Sequence, residues 1–183
     1  MTSNALSQAI NIEESSTEVA ALFERYSSQT CAYLYSMVGN WEVANDLNQD
    51  LYLQLFRTRQ QLRDVKNPRA WIYQIATNLA LNEIKRRKRF AWLPWNWEDA
   101  EPKLVWVDSA EEEIAQSEAV AQALAKLSIN YRLPLLLFSG HNFTIQEIAQ
   151  TLQMSEGAVK TRLHRAREMF ARAYEQSDKM AGG

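Results

Sequence analysis

The clearest structural signal in the chain is the run Thr144-Ile-Gln-Glu-Ile-Ala-Gln-Thr-Leu-Gln-Met-Ser155-Glu-Gly-Ala-Val-Lys-Thr-Arg-Leu-His-Arg-Ala-Arg167. Apolar residues recur in it at helical spacing, first before its midpoint and again after it. Thr144 and Glu147 have the spacing of a capping box, in which a hydroxyl and a carboxylate satisfy backbone amides at a helix start. Ser155 is a suitable cap for a second helix, and the two residues before it form the turn. The run therefore predicts a helix-turn-helix.

The second helix of this motif has one apolar and one polar face. Val159, Leu163, Ala166 and Phe170 fall on the face that we expect to be buried. The face pointing away from it carries donors on the first helical turns, where a protein that reads the DNA major groove needs them. The residues pointing away are Lys160, Thr161, His164, Arg165 and Glu168. An ordinary solvated helix could carry the same charges, so the motif alone leaves that alternative open.

The rest of the chain predicts an all-α fold. Its 183 residues include only five glycines and four prolines, and long segments show helical periodicity. Strand-like alternation and the hairpin dipeptides Asn-Gly and Asp-Gly are absent. Asn67-Pro68 indicates a helix start, with a capping side chain before proline at the first helical position. A chain of this length forms one domain or two small ones.

Composition divides the chain into five segments. Residues 91–108 are rich in tryptophan and acidic residues without any period, which indicates a linker, and we expect some of these tryptophans to dock on a protein surface. The predicted segments are a flexible N-terminus (1–16), a helical domain (17–90), the linker (91–108), a second helical domain (109–176) and a flexible tail (177–183).

Charge is segregated along the chain, although the net charge is −2. Lys85-Arg-Arg-Lys-Arg89 is an uninterrupted cationic run, and residues 155–172 carry five Lys or Arg against two Glu. Residues 98–118 carry eight Asp or Glu against one Lys. Because the local field governs contact with a polyanion, this distribution is compatible with nucleic-acid binding.

Several other classes of protein are disfavoured. Cys31 is the only cysteine, which excludes an internal disulfide and fits a reducing compartment; it is expected to be a small core residue. His141 and His164 lack partners at metal-ligand spacing, so no metal or cofactor is expected. No apolar run approaches the length of a membrane span, which favours a cytoplasmic protein. No nucleophile-base set or phosphate-binding glycine loop indicates an enzyme or a small-molecule substrate.

The order of the segments resembles the extracytoplasmic-function (ECF) subfamily of the sigma-70 RNA polymerase sigma factors. The resemblance covers about residues 18–175. In the first domain it rests on Asp46-Leu-Asn-Gln49-Asp-Leu-Tyr-Leu-Gln-Leu55-Phe and on Pro68-Arg-Ala-Trp71-Ile-Tyr73-Gln-Ile-Ala-Thr-Asn78-Leu-Ala-Leu-Asn82-Glu-Ile-Lys-Arg-Arg. In the second it rests on Ile145 to Ala149 and on Gly157-Ala-Val-Lys-Thr-Arg-Leu-His-Arg-Ala-Arg167.

The resemblance implies a promoter-specificity subunit with a sigma region 2-like bundle and a sigma region 4-like helix-turn-helix domain. It implies that Asp46, Gln49 and Asp50 contact the clamp helices of the largest subunits of core RNA polymerase. The loop 61–67 and the following helix would melt the −10 element of promoter DNA, where an unstacked strand needs polar and cationic contacts. The implied −10 residues are Asn78, Asn82, Lys85, Arg86, Arg87, Lys88 and Arg89. Trp71 is expected in the core rather than stacked on a base.

For the −35 element the resemblance implies a second set of residues. They are Ser155, Lys160, Thr161, His164 and Arg165, with Arg162 as a phosphate contact. Family members often carry an arginine where this chain has Phe138, which weakens the expectation of backbone anchoring from that helix. The family also implies an acidic linker that threads toward the RNA exit path. It further implies an anti-sigma factor, often membrane-bound, which would hold the protein at the inner face of the membrane.

Two alternatives remain at the level of sequence. A free-standing helix-turn-helix regulator needs only the C-terminal motif and a dimer contact. A helical interaction module, or an antagonist of a sigma factor, would make no contact with DNA at all.

Overall fold

The computed structural model describes residues 2–90 and 111–181, and among these residues there is no strand, so the all-α expectation is confirmed. The expected linker, with the tryptophans expected to dock, lies outside the described residues. In chain order the elements are α1 (Thr2–Val38), α2 (Trp41–Arg57), a 3-10 turn (Arg59–Asp64), α3 (Pro68–Phe90), α4 (Glu111–Lys126), α5 (Ile129–Leu135), a π-helical turn (Leu136–Gly140), α6 (Ile145–Thr151) and α7 (Glu156–Ala181).

The first three helices form the N-terminal bundle, in which α1 packs on both α2 and α3. Gly39 turns the chain between α1 and α2 with a φ of 71°. The side chain of Asn40 then accepts a hydrogen bond of 3.0 Å from the Val43 amide and so caps α2. Leu51 and Leu55 are fully buried and belong to the apolar stripe of α2 that faces the core. Trp71 of α3 is partly buried against the same core, as expected.

The first and last helices are long. α1 begins at Thr2 and α7 continues to Ala181, so both include residues of the segments 1–16 and 177–183. Neither helix contains a proline, and the single glycine of α7 lies in its first turn. The backbone therefore meets no residue that would stop the helix within these segments.

The remaining helices form the C-terminal bundle, in which α4, α5 and α6 all pack on α7. The short helix α5 begins at Ile129 and buries Pro134 in its second turn. A π-helical turn follows, in which the His141 amide donates to the carbonyl of Leu136 at 3.2 Å. This wider turn carries His141 out of the helix toward the N-terminal bundle.

The two bundles are packed against each other, and α3 lies on α6. Buried side chains of both bundles belong to one continuous hydrophobic cluster. Tyr73 of the first bundle and Phe143 of the second meet with ring centroids 4.8 Å apart. In the part of the chain that the structure describes, no helix has the length and hydropathy to span a membrane.

Candidate nucleic-acid and polymerase interfaces

The helix-turn-helix is built as the sequence predicts. The Thr144 hydroxyl accepts from the Glu147 amide at 3.2 Å, and the Glu147 carboxylate accepts from the Thr144 amide at 2.8 Å. Burial alone would raise the pKa of Glu147, but hydrogen bonds from Thr144 and Asn67 outweigh it and lower that pKa. The capping box is confirmed, and it holds the first turn of α6 in place.

The turn between α6 and α7 is made without glycine. Gln153 adopts the left-handed backbone conformation with a φ of 52°, which residues other than glycine rarely adopt. The amide of Met154 donates to the carbonyl of Ala149 at 2.9 Å and closes the end of α6. The Ser155 hydroxyl accepts from the Ala158 amide at 3.2 Å, so Ser155 caps α7 as expected. The turn therefore fixes the angle at which α7 leaves the bundle.

The first turns of α7 present a polar surface. Val159, Leu163 and Ala166 are buried, which confirms the predicted inner face. Arg162 is half-buried beside that face and lines a groove with Thr161 and Arg165. The exposed −35 candidates are Ser155, Lys160, Thr161, His164 and Arg165.

Two of these polar side chains have partners within α7. The Thr161 hydroxyl donates to the carbonyl of Gly157 at 3.0 Å. The imidazole of His164 lies 3.8 Å from the carboxylate of Glu168. Lys160 and Arg165 make no ion pair with the described residues, so both can reach an anionic ligand without breaking one.

Glu83 pairs with two of the five cations in the run at the end of α3. Arg86 donates to both carboxylate oxygens of Glu83 at 2.7 and 2.8 Å, and Arg87 donates to the same carboxylate at 2.8 Å. The hydrogen bond from Arg86, followed by that from Arg87, lowers the pKa of Glu83 against the effect of burial. Arg87 also donates to the carbonyl of Val38 at 3.3 Å, which ties α3 to α1.

The other three cations lie with Asn82. Lys85, Lys88 and Arg89 line an open groove of about 460 Å³ together with this amide. Asn78 lies elsewhere, in a cleft between α3 and the helix-turn-helix that also contains Arg162 and Gln153. Asn82 therefore lines the groove with the cations, whereas Asn78, which is also exposed, lies one helical turn earlier on α3.

The exposed face of α2 is mixed. Asp46, Gln49 and Asp50 are all exposed and lie opposite the buried stripe. Leu53 and Phe56 follow on the same side and are 53% and 45% exposed. These two apolar residues were not singled out from the sequence, although Leu53 stands seven positions after Asp46, at helical spacing. A surface with carboxylates beside exposed apolar side chains suits a protein partner.

Two further residues are placed by the structure. Cys31 is buried, donates to the Asn45 side chain at 3.0 Å, and has a pKa raised by burial, in agreement with the expected core role. The Arg167 guanidinium lies 4.8 Å from the ring centroid of Phe138, so a cation from α7 covers the position where an arginine was expected. Among the described residues no group of three or more His, Cys, Asp or Glu could hold a metal ion.

Comparison with known families covers both bundles. Residues 22–90 match Sigma-70 region 2, and residues 117–170 match Sigma-70, region 4. The chain belongs to the ECF group of the sigma-70 family. Among similar proteins, the ECF RNA polymerase sigma factor SigW of Bacillus subtilis is 25% identical over 158 residues, which cover 81% of this chain and 84% of SigW. The RNA polymerase sigma factor YlaC of the same species is 27% identical over 149 residues, covering 80% of this chain and 86% of YlaC.

Solved structures show the same fold. The sigma factor RpoE of Bartonella quintana, solved with the anti-sigma factor NepR, has a TM-score of 0.70 at 19% identity, covering 86% of this chain and 97% of RpoE. CnrH, solved with the cytosolic domain of CnrY, has a TM-score of 0.64 at 19% identity, covering 91% of this chain and 96% of CnrH. In this sigma factor, region 2 falls on the N-terminal bundle and region 4 on the C-terminal bundle. Sigma factors are transcription initiation factors, a class distinct from enzymes.

Proposed function

We propose that this sigma factor binds core RNA polymerase through α2 and directs it to promoters, with α3 opening the −10 element and α7 reading the −35 element. The observation that carries the proposal is the row of exposed donors on the first turns of α7. This helix is the second of a helix-turn-helix in which Thr144 and Ser155 cap the two helices. A recognition helix presents its N-terminal side chains to base edges in the major groove. Lys160, Thr161, His164 and Arg165 are exposed on these turns and would contact the bases, and the half-buried Arg162 would contact phosphates.

The polymerase contact is assigned to the exposed face of α2. Asp46 and Asp50 supply carboxylates for a basic helical partner, here the clamp helices of the largest subunits. Leu53 and Phe56 are exposed apolar side chains on the same face, and a protein partner would bury them on binding. The carboxylates would steer the approach of the polymerase, and burial of the neighbouring apolar side chains would supply affinity.

The −10 contact is assigned to the groove of Asn82, Lys85, Lys88 and Arg89. An amide can hydrogen-bond an exposed base edge, and the three cations can hold the backbone of an unpaired strand. Arg86 and Arg87 are engaged by Glu83, so they would support the strand only if that carboxylate releases them. Asn78 is also exposed, one helical turn before Asn82 on α3, and would extend this site.

The partners follow from the family. Core RNA polymerase and promoter DNA are required for the proposed activity, and an anti-sigma factor is proposed as the inhibitor. Two sigma factors of the same fold were solved with NepR and with the cytosolic domain of CnrY. We propose a cytoplasmic location, with sequestration at the inner face of the membrane if the anti-sigma factor is membrane-bound.

In vitro transcription with core polymerase on a promoter library tests this function. The protein should direct initiation from a defined promoter class while binding promoter duplex only weakly by itself. Changing Lys160 and Arg165 together to alanine should lower initiation by at least tenfold, since each lost base contact costs about 1–3 kcal/mol. Binding to core polymerase, measured by co-elution, should remain intact.

Arg172→Ala provides the matched control, because Arg172 is exposed later on the same helix. It should leave initiation within about twofold of the unchanged protein. Tight operator binding by the free chain, without any initiation, would instead support a free-standing regulator. Loss of initiation with Asp46→Ala and Asp50→Ala, but not with Glu24→Ala on α1, would assign the polymerase contact to α2.

A further inference from the structure

Arg69 joins the two bundles. It lies in the first turn of α3, and its guanidinium donates a hydrogen bond to the carbonyl oxygen of His141 in the C-terminal bundle. The same guanidinium lies 4.1 Å from the ring centroid of Phe143. A cation that both donates to a carbonyl and covers an aromatic face is held in a defined position.

The imidazole of His141 is enclosed by aromatic rings of the N-terminal bundle. Its Nδ1 is 3.0 Å from the hydroxyl of Tyr73. The ring centroids of Tyr73 and Tyr33 lie 5.2 and 5.3 Å from that of His141. Tyr33 is engaged by Thr77 at 2.8 Å, so the Tyr73 hydroxyl is the group that faces the imidazole. A neutral His141 can therefore accept from Tyr73 through Nδ1.

Two weaker contacts extend this junction along α6. The Asn67 amide donates to the Glu147 carboxylate at 3.2 Å. The Thr151 hydroxyl donates to the carbonyl of Ala70 at 3.4 Å, and Thr151 is only 2% exposed. The contacts centred on His141, together with these two, form what we call the interdomain latch.

With the latch engaged, the two bundles are too close together for both promoter elements. The −35 and −10 elements are about 25 base pairs apart, or roughly 85 Å of B-form DNA. A compact chain of 183 residues has a radius of gyration of only about 16 Å. Asn78 is exposed, and it lines a cleft between α3 and the helix-turn-helix together with Gln153 and Arg162.

We propose that the interdomain latch holds the free sigma factor closed, and that protonation of His141 releases it. A protonated imidazole cannot accept at Nδ1, so the Tyr73 hydroxyl would have to turn and accept from it instead, and the new charge is partly buried beside the Arg69 cation. Release separates α3 from α6 and lets each bundle reach its own promoter element.

The electrostatic surroundings set the direction of the pH response. Burial, and then the charge of Arg69, lower the pKa of His141 to about 4. The other ionisable groups around it are Arg167, which lines a cavity together with His141, the phenols of Tyr33 and Tyr73, and the Glu147 carboxylate at the edge of the latch. Burial raises the pKa of both phenols, so they stay neutral.

The sign follows from linkage. In an open protein the pKa of His141 returns to its ordinary value of about 6.5. Because the closed pKa is the lower one, the contribution of His141 to closure is complete above the open pKa and is lost as pH falls toward the closed one. Between about pH 7.5 and about pH 5.5 the ratio of closed to open protein should fall about tenfold.

Thiol accessibility in the full chain, without polymerase or DNA, tests the proposal. Thr151→Cys places a thiol in the interface, and Gln150→Cys places a matched exposed thiol on the same helix; both are made with Cys31→Ser. A dipyridyl disulfide reagent should label the first far more slowly than the second at about pH 7.5. Their rate ratio cancels the intrinsic pH dependence of thiol reactivity, and it should rise about tenfold at about pH 5.5.

Variants separate the latch from other causes. His141→Gln keeps an acceptor for Tyr73 but cannot ionise, so its rate ratio should stay low at both pH values; His141→Asn is a second neutral variant. Arg69→Met should raise the ratio at about pH 7.5, whereas Arg57→Met on the exposed surface of α2 should not. A ratio independent of pH, a rise that persists in His141→Gln and His141→Asn, or equal labelling of both thiols at about pH 7.5 overturns the proposal. Since no transcription is measured, any of these results leaves the proposed promoter recognition untouched.

Discussion

Gly39 and Gly157 occupy opposite backbone environments. Gly39 ends α1 in the left-handed region, where a side chain would be strained. Gly157 lies in the first turn of α7 with an ordinary helical conformation, and a Cβ added there meets only the Ser155 hydroxyl at 4.0 Å. Glycine costs helix stability without any visible steric need at this position. Its presence on the turn that is proposed to face DNA fits a close approach of the phosphate backbone.

Alanine at each glycine should therefore act in opposite directions. Gly157→Ala should raise the free energy of unfolding by about 0.5–1 kcal/mol. Alanine adopts the helical backbone conformation of this position without strain and loses less conformational entropy on folding than glycine does. Gly39→Ala should lower it by about 1–2 kcal/mol, because alanine disfavours the left-handed conformation. Urea unfolding followed by circular dichroism measures both. A change of the same sign for the two variants would contradict the assigned backbone roles.

The sequence predicts helix-capping residues well. Thr144, Glu147, Ser155 and Asn67 were each identified from the positions of their neighbours alone, and each makes the expected bond. A capping bond joins atoms three residues apart, so its geometry is contained in a short stretch of sequence. Gln153 was placed in the turn, but its left-handed backbone was not foreseen, because glutamine is not a residue that usually adopts it.

At the scale of elements, α3 combines three roles along one helix. Its first turn carries Arg69 of the interdomain latch, its middle buries Ile72 and Ala76, and its last turns carry the cations. The apolar periodicity predicted the buried middle correctly. Periodicity did not distinguish the cations held by Glu83 from those lining the groove with Asn82.

The cations of α3 should differ in their effect on strand binding. Lys85→Ala with Lys88→Ala should reduce the slope of log affinity against log salt by about 1.4 for a −10 non-template oligonucleotide bound by the polymerase complex, or about 0.7 per lost phosphate contact. Arg86→Ala is the control from the same run. It should change the slope less per residue, because Glu83 holds this guanidinium through two oxygens. An equal loss per residue would show that the pairing does not persist when DNA is bound.

At the scale of the whole molecule, the shared core predicts how the protein unfolds. Residues from both bundles belong to one buried cluster, and the interdomain latch lies over it. Structures that share a core and lose it together unfold in one cooperative transition. The division into two helical domains, expected from the acidic segment between them, is thus not a division into two separate cores.

Calorimetry should show one unfolding transition at about pH 7.5. Arg69→Met removes a hydrogen bond and a cation–aromatic contact between the bundles, so it should separate the trace into two transitions. Arg57→Met, on the exposed surface of α2, should keep the single transition. Two transitions in the unchanged protein would mean that the bundles do not stabilise each other in solution.

The sequence by itself determined the helical class, the core of each helix, the caps and the family. These depend on spacings of a few residues or on motifs of a dozen, and hydrogen bonds within a helix join neighbours in the chain. The π-helical turn after Pro134 was missed, because it depends on tertiary packing as well as on local spacing.

Only the tertiary structure decided which surfaces of the two bundles meet. Arg69 and Tyr73 lie about seventy residues before His141 in the chain, and no periodicity relates them. The contact depends on burial of a neutral imidazole among aromatic rings, which is a property of packed surfaces. Each bundle was readable from its own residues, whereas their association arises from side chains that become neighbours only after both have folded.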